Sequence, residues 1–211
     1  MGNGNKAEML IAVCAVISSI AAVYIAWDQA RVMRSQEKAD VWPMIQLTHQ
    51  TSIETGETSY ALEIQNAGVG PALIDSYLIM IPDTGWTKDF KGMVRYLMPD
   101  SIGEPGWANT SLDGRVMRQG DKLIAISGNY TPSDEVSTAM QVRLEEYVTG
   151  KRDPAEVFVC YCSILEDCWV STTLAARNRP DPVKSCGDLE ATAKRLLAAN
   201  RENTPEEVTT P

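Results

Sequence analysis

Four of the five cysteines lie between Cys160 and Cys186, spaced C-x-C-x5-C-x17-C. Three chemistries fit that grouping. Two disulfides, joining Cys160 or Cys162 to Cys168 and the remaining one to Cys186, would belong to an exported domain. A four-thiolate zinc site on Cys160, Cys162, Cys168 and Cys186 is the metal alternative, although zinc sites more often use a C-x2-C knuckle than C-x-C on a strand. Small thiols buried as core residues are the third reading. His49 is the only histidine, and no positioned partner in the sequence makes it a general base. Glu145-Glu146 and Glu166-Asp167 are adjacent acids at a helix end and a turn, without the converging spacing of an acid–base pair. The chain contains no G-x-S-x-G, no P-loop and no H-E-x-x-H. The expectation is a protein that is not an enzyme and needs no cofactor. Trp86 and Trp107, beside Gly and Pro in loop-like stretches, are candidate binding aromatics, with capping of the core as the alternative.

The elements that must position these residues are mostly strands. Met44–His49 and Tyr60–Gln65 alternate apolar and polar with period two, and Glu54-Thr55-Gly56-Glu57 between them has the composition of a hairpin turn. Ala72–Ile81 (ALIDSYLIMI) is more continuously apolar and reads as a central strand. Arg115–Arg118 and Lys122–Ser127 add two strands, and Glu156–Ile164 with Cys168–Leu174 form a hairpin carrying three of the cysteines. In a strand Cys160 and Cys162 point to the same face, and Cys168 returns beside them.

Phe90, Met93, Val94 and Leu97 fall at i, i+3, i+4 and i+7, a helical stripe. Ser133 caps a second helix through Tyr147, with Gly150 beyond its end and Val136, Met140, Leu144 and Tyr147 on its apolar face. A strand over Met140–Leu144 is the alternative there. Asp188–Ala199 forms a last helix, and the tail from Arg201 is polar and expected to be disordered. The fold expected is mainly β: an antiparallel β-sandwich or open barrel with two or three inserted or terminal helices.

The address comes from nineteen uncharged residues, Met9–Trp27. At ~1.5 Å per residue they match the ~30 Å hydrocarbon core of a bilayer. Tyr24 and Trp27 suit the headgroup interface, and the run is too long for the apolar core of a cleaved signal. The expected organisation is a short tail (1–8), a transmembrane helix (9–27), a helical stalk (28–42) ended at Pro43, a soluble domain (43–200) and a tail (201–211). Arg31, Arg34 and Lys38 after the span outnumber Lys6 and the amino terminus before it, so the expected side is cytoplasmic; a periplasmic domain, which the disulfide reading favours, is the alternative. The chain is 44% hydrophobic, with net charge −9 and a pI of about 4.7. That acidity argues against nucleic acid as a partner. A lipid bilayer, and a protein partner or further copies of the chain, remain the expected contacts.

Trp42-Pro43-Met44-Ile45 and Asn66-Ala67-Gly68-Val69-Gly70-Pro71-Ala72 resemble two short motifs of a set of uncharacterised bacterial single-pass membrane proteins. In these an N-terminal anchor and stalk are followed by a W/R-P-x-I/L strand start and an N-x-G-x-G-P-A loop. The resemblance covers the anchor and the first half of the domain. It implies a sandwich-like domain, and carries no activity or site residues; the expected address is a bacterial inner membrane, crossed once.

Overall fold

The computed structural model describes residues 4–54, 57–98, 106–131, 133–174 and 179–203. The chain divides into two units, Met1–Asp40 and Val41–Pro211. The first unit is one helix, α1 (Gly4–Asp40), about 55 Å long at ~1.5 Å per residue. The stretch expected to be a span and the one expected to be a stalk are therefore continuous. Every side chain from Glu8 to Gln29 is exposed, and the helix is long and apolar enough to cross a membrane, with mean hydropathy 2.5 over its most apolar window. Ser18 and Ser19 donate their hydroxyls to the carbonyls of Cys14 and Ala15, each at 2.8 Å. Each hydroxyl is thereby satisfied within the helix.

The second unit follows in the order β1 (Ile45–Glu54), β2 (Glu57–Asn66), β3 (Ala72–Ile81), β4 (Gly85–Thr87), α2 (Phe90–Leu97), β5 (Gly106–Asn109) and β6 (Val116–Met117). It continues with β7 (Lys122–Tyr130), α3 (Asp134–Val148), β8 (Glu156–Cys162), β9 (Cys168–Thr172), β10 (Asp181–Val183) and α4 (Leu189–Asn203). Two antiparallel sheets result. One has the order β1-β2-β7-β5; the other has β10-β9-β8-β3-β4, with β6 also on β3. The fold is mainly β, as the alternation indicates, and it takes the sandwich form.

Side-chain alternation along β8 divides the hydrophobic interior. Val157, Val159 and Tyr161 face a core shared with Leu62, Ile64 and Ile126 of the other sheet. Phe158 and Cys160 face the opposite way, into a second core covered by Leu189, Ala193 and Leu196 of α4. The middle of the second sheet is thus buried on both faces, which explains why β3 is continuously apolar from Tyr77 to Ile81, after Asp75 and Ser76. Phe90, Met93, Val94 and Leu97 of α2 and Val136 and Met140 of α3 add to the first core.

The helix signals behave as their chemistry requires. Ser133 Oγ accepts from the Val136 nitrogen at 3.1 Å, and Gly150 follows α3 with φ 69°. This segment is helix, not strand. The short strands β4, β5 and β10 were not expected, and α4 runs through 201–203, which the sequence assigns to a disordered tail. Residues 204–211, the turn residues 55–56 and 99–105 of the long loop lie outside the described residues.

The two motifs behind the family resemblance pack against each other. Asn66 is fully buried. Its Oδ1 accepts from the nitrogens of Met44 (3.2 Å) and Gly68 (3.0 Å), and its Nδ2 donates to the carbonyls of Gly70 (2.8 Å) and Met117 (3.1 Å). One side chain therefore ties the entry strand, the loop and β6 together. A Cβ at Gly68 would meet the backbone of Trp42, Pro43 and Met44, and one at Gly70 would meet Val41. Both glycines are required by this close backbone approach.

Candidate functional site

Strand alternation and one hairpin assemble the cysteine cluster. Cys162 lies directly opposite Cys168 in the β8–β9 register, and the two are joined, with Cα atoms 4.0 Å apart. Cys160 shares their face and is joined to Cys186, with Cα atoms 5.6 Å apart. Cys186 lies three residues before Leu189, the first residue of α4, so this bridge fastens the approach to the helix to the α4-facing side of β8. The bridges touch: Cys162 Sγ and Cys186 Sγ are 3.8 Å apart, and the sulfurs of Cys162, Cys168 and Cys186 lie within 4.8 Å of one another. With its sulfurs paired the cluster offers no thiolate, so a metal could be held only by the reduced chain. Cys14, the remaining cysteine, is free and exposed on α1.

A second constellation forms around His49. Its Nδ1 lies 2.7 Å from the Tyr60 hydroxyl. Desolvation lowers the His49 pKa and raises that of Tyr60, the latter with smaller contributions from Tyr147 and Tyr130. Both groups are therefore neutral near pH 7, and the hydroxyl donates to Nδ1 when the ring proton sits on Nε2. Beside them opens an apolar cavity of about 190 Å³, lined among others by Leu97, Met140, Leu144 and Tyr147. Sequence reasoning gave His49 no partner. The signal was present: the β1–β2 register sets Thr51 opposite Tyr60, which makes Tyr60 the diagonal neighbour of His49. Met140, Leu144 and Tyr147 of the apolar face expected for α3 line this cavity, while Val136 is buried in the first core.

The tryptophans are not brought together. Trp86 lies on β4 and packs on Phe158 at 5.9 Å in the α4-side core. Trp107 lies on β5 in the other sheet and packs against the first core. Both are half-buried, and the Trp107 Nε1 is buried with no hydrogen-bond partner among the described residues. On α1, Tyr24 and Trp27 are exposed, and the Arg31 guanidinium lies 5.5 Å from the Trp27 ring. No protein-family model and no curated protein matches this chain.

Proposed function

We propose that the chain is a single-pass protein of a bacterial inner membrane that holds its β-sandwich on the exported side and acts by contact with another protein or with its own copies. One observation carries this reading: a 37-residue helix with an exposed apolar run precedes a domain fastened by two disulfides. Exposed apolar surface of that length is stable in lipid and costly in water. Disulfides persist in oxidising compartments, and this supports export. The charges Arg31, Arg34 and Lys38 against Lys6 and the amino terminus favour the opposite side, by a margin too small to outweigh two bridges. The bacterial setting rests on the motif resemblance.

Contact with protein is supported by apolar surface on the domain. Leu73 and Val116 face each other across the β3–β6 pair while 37% and 58% exposed. Such exposed apolar pairs are features of interaction surfaces when they cluster. The test is crosslinking of the full chain in its membrane followed by mass spectrometry. A discrete adduct, with a second copy or another protein, is expected; a lone monomer under efficient crosslinking defeats the reading.

A second reading, a sensor that binds a small ligand, is favoured by the cavity beside His49 and Tyr60. Its lining selects a compact apolar molecule. It does not draw on Trp86 and Trp107, which lie in different sheets.

A further inference from the structure

Among the described residues five strands lie at sheet edges: β1 and β5 in one sheet, β10, β4 and the two-residue β6 in the other. β5, β10 and β4 have only four, three and three residues, and β10 contains Pro182. Shortness and proline are among the devices that keep sheet edges from pairing with other chains. β1 has neither. It is ten residues long, carries no lysine, arginine or proline, and pairs with β2 without a register shift.

The hydrogen bonds show which main-chain groups reach this edge. Towards β2, the Ala67 nitrogen donates to the Met44 carbonyl at 2.8 Å. Ile45 turns the other way: its nitrogen donates to the Tyr161 hydroxyl at 3.2 Å, and its carbonyl accepts from Ser171 Oγ at 2.6 Å. In an antiparallel ladder this direction alternates residue by residue. The unbroken register therefore aims the N–H and C=O groups of Leu47, His49 and Thr51 away from β2. Among the described residues β2 is the only strand paired with β1. A cleft of about 340 Å³ runs beside Met44–Thr48, with Ser171 and Pro180 among its other lining residues.

We infer that β1 is the surface on which two copies of this chain pair, antiparallel about a two-fold axis at His49, so that two four-stranded sheets become one of eight. The register is self-complementary. A two-fold at His49 sets His49 opposite His49 and Leu47 opposite Thr51 of the second copy, and all of these are edge-directed residues. On the outer face Thr48 meets Gln50, and Gln46 meets Ser52. No Asp, Glu, Lys or Arg lies between Ile45 and Ile53, so no like charges oppose the pairing. Anchoring in one membrane raises the effective concentration of the two copies. The inference rests on the self-contact form of the proposed function and names its surface.

The test uses charge exchange at Thr48 and Gln50, which are exposed on β1. The full chain is reconstituted in vesicles as donor- and acceptor-labelled pools, and association is read by energy transfer and crosslinking. Wild type is expected to associate. T48K/Q50K and T48E/Q50E, which place like charges opposite each other across the two-fold, are each expected to associate at least ten-fold more weakly. An equimolar mixture of the two variants is expected to regain wild-type association, which a folding defect would not permit. A monomeric wild type overturns the inference, as does association unchanged in both variants or a loss that the mixture fails to restore. Unchanged association leaves self-contact standing through another surface, and a monomeric wild type that still crosslinks to another protein leaves the contact reading standing.

Discussion

Glu156 should set a pH dependence of stability that a single isosteric substitution removes. It opens β8 at 7% exposure. Its Oε2 accepts from Thr173 Oγ1 at 2.6 Å, while that same Oγ1 accepts from the Val157 nitrogen at 2.9 Å. Burial pushes the carboxyl up from 4.5 to about 7; the Thr173 hydrogen bond opposes the rise and the Asp153 charge adds to it. Below pH 4.5 both folded and unfolded chains hold the proton, and the group is neutral for stability. Between pH 4.5 and about 7 the unfolded chain releases its proton first, so stability falls by about 1.4 kcal/mol per pH unit. Above pH 7 the full penalty stands, about 3 kcal/mol. Glu156→Gln retains an oxygen to accept from Thr173 and carries no charge. It should therefore exceed wild type at pH 8.5 by up to about 3 kcal/mol, or about 6–12 °C in Tm for a domain of this size, and match it near pH 4. Thermal melts of the full chain in detergent across pH 4–8.5 measure the difference. Parallel curves for the two proteins at all pH values would refute the desolvation argument.

The two bridges should differ in weight. Closing a 26-residue separation by Cys160–Cys186 corresponds to about 3.5 kcal/mol of unfolded-chain entropy, against about 2 kcal/mol for the six-residue Cys162–Cys168 loop. C160A/C186A should accordingly melt below C162A/C168A. Asn66→Ala leaves the nitrogens of Met44 and Gly68 and the carbonyls of Gly70 and Met117 without their partner, and should cost more than about 3 kcal/mol in chemical denaturation. A cost below 1 kcal/mol would contradict its role as the tie between the two motifs. Xenon or benzene should enter the cavity beside Tyr60 and shift the Met140 methyl resonance; an unmoved resonance at saturating gas would show that the cavity does not admit an apolar guest.

The sequence disclosed those parts of the fold whose residues repeat a local rule. β1, β2 and α2 are legible because burial on one face imposes period two or 3.6, and the Ser133 cap and Gly150 bound α3 through local backbone chemistry. β4, β5 and β10 were not legible because three or four residues cannot display a period, and their existence depends on an already formed neighbour. The cysteine cluster was half legible. Alternation places Cys160 and Cys162 on one face, whereas the choice of Cys186 for Cys160 depends on α4 covering that face, which is a long-range fact. Asn66 reads as a turn residue in one dimension; its four hydrogen bonds reach Met44 and Met117, far apart in the chain. The His49–Tyr60 contact followed from hairpin register, but the apolar cavity beside it required α2 and α3 to be placed.

Thiol labelling on intact spheroplasts bears at once on the anchor, the exported side and the bridges. A membrane-impermeant maleimide is applied to cells making the full chain, with and without an impermeant phosphine reductant, and the chain is recovered from carbonate-washed membranes. Cys14 lies within the exposed apolar run of α1, outside the domain, so the cysteines between Cys160 and Cys186 report the domain. The chain should stay in the membrane pellet, resist label before reduction and take it up after reduction from outside. Label acquired without reductant and only after lysis, or full-length chain in the soluble fraction, would contradict an anchored, exported, disulfide-fastened domain.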